Sequence, residues 1–526
     1  MAPSRKNPRI LIVTPEVTYL PDRMGTFANY LTAKAGGLAD VSAGLITALF
    51  DQGTDVHVAL PNYRAIFQDR LAPLLKAQRN AIRHKMPDDR VHLAEDRAFF
   101  YINRVYAPTG GENTNVALAF QREVINNIVP RVQPDLIHCN DWMTALIPAM
   151  ARQMNIPCLF TIHNIHTVKA TLSQIEDRGV DAAYFWQHLW YQNFASEYEQ
   201  SRDSNPVDFL VSGVFAAHFV NTVSPTFLTE IVEGRHSFVA PALRDELTNK
   251  WRADCAAGIL NAPDPAFDPQ TDDNLVRRYG PKDHVQGKRE NKAHLQKTLG
   301  LIEDPKAPIF FWPSRLDNIQ KGCQLLADIL YSMLHTYWDQ TLQVVFVANG
   351  EFQRHFRDIV DFHRFHGRVA ICDFDVHLEH LTYGAADFLL MPSRFEPCGL
   401  PQMIGPIYGV LPVAHDTGGI HDTLTHLDVA RKQGNGFLFE FFDAQGLFWA
   451  VQQAMEFYNL PAAQRRSHTA RIMTESKAAF NHGVTARAYI ELYERMLQRP
   501  LIVSPQYGEP KASPNSKRDH REKAMG

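Results

Sequence analysis

Residues 387–423 read DFLLMPSRFEPCGLPQMIGPIYGVLPVAHDTGGIHDT, and the alternation of short apolar runs with glycine-bearing polar turns in this stretch decides the fold class. Phe388 to Met391 is an apolar run of strand length. It breaks into a polar turn carrying Arg394 and Glu396. Gly399 then opens a helix and Gly409 closes it, Val410 to Ala414 forms a second buried strand, and Thr417-Gly418-Gly419 opens a second helix. The order is that of a βαβ unit, with polar groups just past the carboxyl end of each strand. In an open parallel sheet this edge is where ligands bind. Glycines at a helix start leave backbone N–H groups free to hold an anion, and the helix dipole favours one there. A carboxylate and a phosphate nest on adjacent strand ends imply a site for a nucleotide sugar.

The same alternation extends outward in both directions. Ile10 to Thr14 reads as a first buried strand, followed by a polar loop ending in Lys34-Ala35-Gly36-Gly37-Leu38-Ala39-Asp40. Val41, Leu45, Ile46 and Leu49 then recur at helical spacing, and Asp55 to Leu60 reads as a second strand. No G-x-G-x-x-G accompanies this unit, so a dinucleotide fingerprint is absent. Leu136 to His138, Cys158 to Thr161 and Phe219 to Val223 continue the series. A stretch dense in proline and aspartate, 263–273, marks a boundary. Ile309 to Trp312, Gln343 to Ala348 and Val369 to Cys372 then start a second series that runs into the opening stretch. The expectation is an α/β chain with two Rossmann-like, doubly wound domains, 1–265 and 306–483, joined by a linker at 266–305. Such a pair faces across a deep cleft. Residues 504–526 are polar and charged and read as a disordered tail.

With 526 residues the chain is too long for one core. It is 45% apolar and 21% charged, the composition of a folded enzyme. The net charge of −4 offers no electrostatic argument for nucleic acid or membrane partners. Six cysteines without a C-x-x-C pair make no disulfide framework and fit reduced thiols. Arg5, Lys6 and Arg9 precede an apolar run of only Ile10 to Val13, too short for a signal peptide, and no stretch has transmembrane length. A cytoplasmic protein is expected. The 23 histidines include no H-E-x-x-H, and no acidic cluster has metal-ligand spacing, so neither metal nor cofactor is expected.

Nine motifs in order resemble the bacterial glycogen synthase and plant starch synthase family. They are Lys34-x-Gly-Gly-Leu-Ala-Asp40, His138-x-x-Asp141-Trp142, Thr161-Ile-His163-Asn164, Thr222-Val-Ser-Pro225, Gly258-Ile-Leu-Asn261, Ser314-Arg315-Leu316, Gln320-Lys321-Gly322, Pro392 to Gly399, and Asp416-Thr-Gly-Gly419. The resemblance spans residues 10 to about 490, and its most specific part surrounds Glu396. It implies a GT-B fold and retaining transfer of glucose from ADP-glucose to the 4-OH at the non-reducing end of an α-1,4-glucan. It also implies that a last helix, 484–503, crosses back to the N-terminal domain.

The chemistry accounts for these residue types. Breaking a sugar–diphosphate bond builds negative charge on the leaving phosphate and positive charge on the ring. Arg315 and Lys321 suit the diphosphate, with Thr417, Gly418 and Gly419 adding backbone N–H donors. Glu396 and Asp141 suit glucose hydroxyls. By the resemblance, the backbone carbonyl of His163 lies beneath the reacting sugar. Lys34, Gly36 and Gly37 close the site from the opposite domain, and Asp40, Asn164, Asn261, Cys398, Gly399 and Leu400 line it. Each assignment has a plainer rival. Arg394 and Glu396 make a local ion pair, His163 is a core histidine, Asp141 caps a helix, Lys34 is solvated, and Cys398, with no histidine to activate it, merely packs.

Four departures from the family pattern stand out. Three residues, Asp317-Asn318-Ile319, separate Leu316 from Gln320 where two are usual. Met143 replaces a histidine, Ala262-Pro263 interrupts the Asn261 motif, and an insertion, Tyr19 to Ala33, carries Tyr19, Phe27 and Tyr30. Two alternatives stay open at this level: a related retaining enzyme using UDP-glucose or a small acceptor, and a non-catalytic glucan-binding regulator on the same scaffold.

Overall fold

A computed structural model describes residues 7–25, 28–67, 90–107 and 110–502. Phe27 and the expected tail at 504–526 lie outside them. In the first half the strands are β1 (Arg9–Val13), β2 (Asp55–Pro61), β3 (Val91–Ala94), β4 (Leu136–Asn140), β5 (Cys158–Ile162), the short β6 (Lys169–Ala170) and β7 (Val207–Asp208), β8 (Phe219–Thr222) and β9 (Ala256–Gly258). β6 and β7 pair antiparallel as a separate ribbon. The others form a parallel sheet in the order β3-β2-β1-β4-β5-β8-β9. The second half contributes β10 (Ile309–Trp312), β11 (Gln343–Val347), β12 (Val369–Cys372), β13 (Phe388–Met391), β14 (Leu411–His415) and β15 (Phe437–Phe439), parallel in the order β12-β11-β10-β13-β14-β15. Both sheets are doubly wound, each reversing direction beside its own first strand.

The central strands β4, β5, β11, β13 and β14 are buried along their whole length. That burial explains why they read as continuous apolar runs rather than alternating ones, since helices cover both faces. The polar residues within the first sheet are paired. Buried His138 meets Tyr493 Oη through Nδ1 at 2.7 Å and Thr161 Oγ1 through Nε2 at 2.7 Å. Burial drives its pKa down to about 3, so it stays neutral. Tyr493 and Tyr489 belong to helix His482–Leu497, and Tyr489 Oη accepts from Asn221 at 2.9 Å. The chain thus returns after the second sheet to cover the first.

Residues 266–305, read from their proline and aspartate as a linker, are packed structure. Helix His284–Leu299 lies on the second half, where Lys292 pairs with Asp387 at 2.7 Å and Gln296 donates to Gln343 at 3.0 Å. Asp272 binds His380 at 2.8 Å and Tyr408 at 2.6 Å. The aspartates that suggested a loose segment cap tight turns instead. Asp264, Asp268 and Asp272 accept the backbone N–H two residues on, from Ala266, Gln270 and Asn274. Among the described residues no helix is long and apolar enough to cross a membrane.

Candidate active site

In a doubly wound sheet, ligands bind where the strand order reverses. In the first half this point lies between β1 and β4, whose ends carry Glu16 and Asp141. In the second it lies between β10 and β13, whose ends carry Arg315 and Glu396.

On the second half, Lys321 Nζ and Glu396 Oε2 form a buried ion pair at 2.5 Å, and Ser393 Oγ donates to the same oxygen at 3.1 Å. Glu396 therefore pairs with Lys321 and not with Arg394, which is exposed. The extra residue before Gln320 is absorbed locally. Asp317 Oδ1 accepts from the N–H of Ile319 (2.8 Å) and Gln320 (2.9 Å), and Lys321 N–H reaches Asp317 O at 3.1 Å, an Asx-type turn that takes up the added length. Arg315 stands exposed, and its side chain makes no hydrogen bond or ion pair with another described residue. Of the two cations that suit the diphosphate, Lys321 is paired with Glu396 and the Arg315 side chain is unpaired among the described residues. The reason is that the turn delivers the lysine onto the carboxylate.

Gly399 and Gly409 both have positive φ, +76° and +70°, and bracket helix Pro401–Ile407. The helix starts two residues later than the glycine suggested, with Leu400 as its N-cap. The Thr417-Gly418-Gly419 turn departs more sharply from expectation. Two of its three amides are taken: Gly418 N–H donates to Glu230 Oε1 at 3.1 Å, and Gly419 N–H donates to Glu396 O at 2.9 Å. Glu230 lies 188 residues away on the other domain, so spacing along the chain held no sign of it.

On the first half, Asp141 has φ +57° and ψ −179°, a backbone state rare outside glycine and costing roughly 1–3 kcal/mol. It sits at an N-cap position but does not cap with its side chain. Its carboxylate instead organises the turn after β5, accepting from His163 N–H at 2.7 Å, Asn164 N–H at 3.4 Å and Asn164 Nδ2 at 2.9 Å. Asn164 Oδ1 in turn accepts from His166 N–H at 2.8 Å. His163 Nε2 lies 2.9 Å from Asn140 Oδ1, and burial pulls the imidazole down to about 4, so it is neutral at pH 7. Met143, where the family has a histidine, is fully buried apolar core.

Lys34 is exposed but bound to Asp40 at 2.7 Å, and Asp40 also accepts from Thr18 at 2.5 Å. Gly36 caps helix Gly37–Asp51, and both glycines have open space around them. Glu16 was missed in the sequence. Its carboxylate accepts from Ala35 N–H (2.7 Å), Gly36 N–H (3.0 Å) and Tyr106 Oη (3.1 Å), pinning the Lys34 loop to the end of β1. Its place just after the first strand, at the reversal point, was the available signal. Asn261 and Cys398 meet across the domains, the Asn261 N–H reaching the thiol. Burial still pushes that thiol up to about 12, which leaves it protonated and inert as a nucleophile. The side-chain oxygen of Asn261 is buried without a hydrogen-bond partner among the described residues. An unmet buried acceptor costs about 1–3 kcal/mol.

Burial pushes the Asp141 carboxyl up to about 7, against the pull of the His163 and Asn164 amides, and the charge of Glu16 adds to the rise. Between the ordinary aspartate value and about 7 the folded chain holds this proton and the unfolded chain does not. Stability from this group therefore falls as pH rises through that window, by up to about 1.4 kcal/mol per pH unit. His163, depressed to about 4, acts with the opposite sign from there to its ordinary value. Chemical unfolding of wild type and Asp141→Asn from pH 4.5 to 7.5 isolates the carboxyl: the wild-type curve should fall relative to the variant, and parallel curves would refute the assignment.

The comparisons with known proteins agree with this geometry. A profile of the starch synthase catalytic domain matches residues 9–241, and one of group 1 glycosyl transferases matches 307–456. The glycogen synthase of Moorella thermoacetica is 32% identical over 518 residues, covering 93% of this chain and 97% of that protein. The glycogen synthase of Bacillus subtilis is 30% identical over 492 residues, covering 88% and 95%. The catalytic domain of starch synthase IV from Arabidopsis thaliana, solved bound to ADP and acarbose, superposes with a TM-score of 0.74 at 26% identity, over 94% of this chain and all of that one. Sucrose-phosphate synthase from Thermosynechococcus elongatus, at 18% identity and a TM-score of 0.54, shares the fold. The chain belongs to the glycogen synthase and starch synthase family of GT-B glycosyltransferases.

Proposed function

We propose that the protein is a glycogen synthase that transfers glucose from ADP-glucose to the non-reducing end of an α-1,4-glucan, with retention of configuration. The observation that carries this reading is the buried Lys321–Glu396 pair at the second reversal point, together with the Asp141–His163–Asn164 turn at the first. A carboxylate held at the donor end of the cleft suits the glucosyl hydroxyls. Lys321, already fixed by that carboxylate, and unpaired Arg315 suit a diphosphate whose charge grows as the glycosidic bond breaks. The bond to the departing oxygen breaks, the glucan 4-OH adds to the anomeric carbon on the same face, and its proton leaves with the diphosphate. Asp141 fixes the peptide of His163, so the carbonyl of that residue is preset to stabilise positive charge on the ring. The unmet Asn261 oxygen is an acceptor for a substrate hydroxyl. The ADP and acarbose named with the starch synthase IV structure support an adenine donor and a saccharide acceptor. No resident cofactor is part of this scheme, and a cytoplasmic setting suits it.

The test is release of nucleoside diphosphate by the purified protein with glycogen, using ADP-glucose and UDP-glucose, with Glu396→Ala as control. ADP release that requires both glycogen and Glu396, and is at least about tenfold faster than UDP release, is expected. Preference for UDP-glucose would overturn the donor, and activity without glycogen would overturn the acceptor.

A further inference from the structure

Two carboxylates cap each other's helices across the domain boundary. Glu230 lies on helix Pro225–Val232 of the first domain and is buried. It accepts from Gly418 N–H at 3.1 Å and from Thr417 Oγ1 at 3.1 Å, at the start of helix Gly418–Thr423 of the second domain. Asp422, on that second helix, reaches back to the start of the first. It accepts from Thr226 N–H at 3.1 Å, from Thr226 Oγ1 at 2.6 Å and from Ser224 Oγ, which is also the helix's own cap. His236 backs Glu230 from behind at 2.9 Å.

We infer that Glu230 and Asp422 are positioning residues for transfer: as reciprocal caps they set the register in which the Thr417-Gly418-Gly419 turn is presented to the cleft. The turn is held between two oxygens on two domains, Glu230 on one side and the backbone carbonyl of Glu396, bound by Gly419 N–H, on the other. A shift of the first domain relative to the second therefore moves the amide plane beside Glu396 directly. Each cap joins an anion to the positive end of a helix dipole and to neutral donors, so neither leaves a charge unpaired. Burial works against the charged form of Glu230, but His236, Gly418 N–H and Thr417 outweigh it and hold its pKa below the ordinary value. It thus stays ionised at neutral pH. The pairing also joins the domains without a flexible cation. Its donors are backbone amides and short hydroxyls, which fix angle as well as distance. One consequence is directional. Glu230 holds the start of helix Gly418–Thr423 and Asp422 holds the start of helix Pro225–Val232, so loss of each carboxylate is read at a different amide of the same interface.

The kinetic arm rests on the transfer reading, and the exchange arm does not. Glu230→Ala, Glu230→Gln, Asp422→Asn and the double variant Glu230→Gln/Asp422→Asn are compared with Glu233→Gln, an exposed control near the end of the same helix. Hydrogen exchange is followed in peptides covering 416–424 and 225–232, with β4 and β13 peptides as the check on folding. Expected are a rise of at least tenfold in the exchange rate of the Gly418 amide in Glu230→Ala, and a smaller rise at Thr226 in Asp422→Asn, which keeps one acceptor oxygen, with the strand peptides unchanged. The KM for the sugar nucleotide should rise at least tenfold in Glu230→Ala, with a smaller rise in Glu230→Gln, which keeps one acceptor oxygen. The double variant should fall short of the product of the single effects, because both caps hold one interface. Faster exchange in the variants of a protein whose wild type shows no transfer would uphold the caps and sink only the proposed function. Unchanged exchange at Gly418, or Glu230→Ala kinetics within twofold of wild type in a folded protein, would overturn the inference.

Discussion

Lys321→Ala is expected to abolish measurable transfer and to lower the unfolding free energy by about 3–5 kcal/mol, the usual cost of leaving one member of a buried ion pair without its partner. Glu396, retained in that variant, is buried and keeps only the Ser393 hydroxyl as a donor. Glu396→Ala is expected to be equally inactive, losing at least about a hundredfold in kcat/KM through loss of positioning and charge at the reacting sugar. The two roles of the pair separate in Lys321→Met/Glu396→Gln. Replacing both members with neutral side chains of similar volume removes the buried charge, so urea unfolding should return to within about 1.5 kcal/mol of wild type while transfer stays absent. Recovery of activity in the double variant would show that the pair is structural and that the site lies elsewhere.

Gly419→Ala and Gly418→Ala should be nearly as damaging, for a different reason. A Cβ on Gly419 would fall inside contact distance of the backbone of Cys398, and one on Gly418 would meet the carbonyl oxygen of Glu396. Both obstacles are main chain, which has no rotamer to escape into. Gly418 also has φ +46°, a region that costs an alanine roughly 1 kcal/mol or more. Each substitution is expected to destabilise by about 2–4 kcal/mol and to reduce transfer by about a hundredfold or more, because the loop it displaces carries Glu396. Gly37→Ala provides the steric contrast. That position is the first residue of a helix with nothing within 4 Å of the added methyl, so thermal unfolding should match wild type within about 0.5 kcal/mol. Wild-type stability in Gly419→Ala would mean that the turn has room the packing does not show.

The strands of both sheets were legible because each is a short apolar run buried on both faces, bounded by polar turns. The runs Phe388 to Met391 and Val410 to Ala414 fall within a residue of β13 and β14. Helix His284–Leu299 was not legible, since its buried face includes Lys288, Asn291, Lys292 and Gln296. Those side chains are satisfied by Tyr408 O, Arg277 O, Asp387 and Gln343, partners that lie elsewhere in the chain, so the segment reads as polar and loose until it is folded. The Thr417-Gly418-Gly419 turn was read correctly as a helix start and incorrectly as an empty one. Propensity and spacing report on neighbours along the chain, and the carboxylate that fills the turn comes from the other domain.

What the sequence alone determined is therefore what short range decides: the two series of buried strands, the helix starts after them, and the family to which the motif order points. Tertiary structure alone decided which charges meet. Lys321 finds Glu396 across 75 residues, Glu16 fills the Lys34 loop across 20, and Glu230 reaches Gly418 across 188. The physical reason is that a hydrophobic run is buried wherever it occurs, whereas a charge is stable inside a protein only beside a specific partner, and the partner is chosen by how each domain folds and by how the two meet.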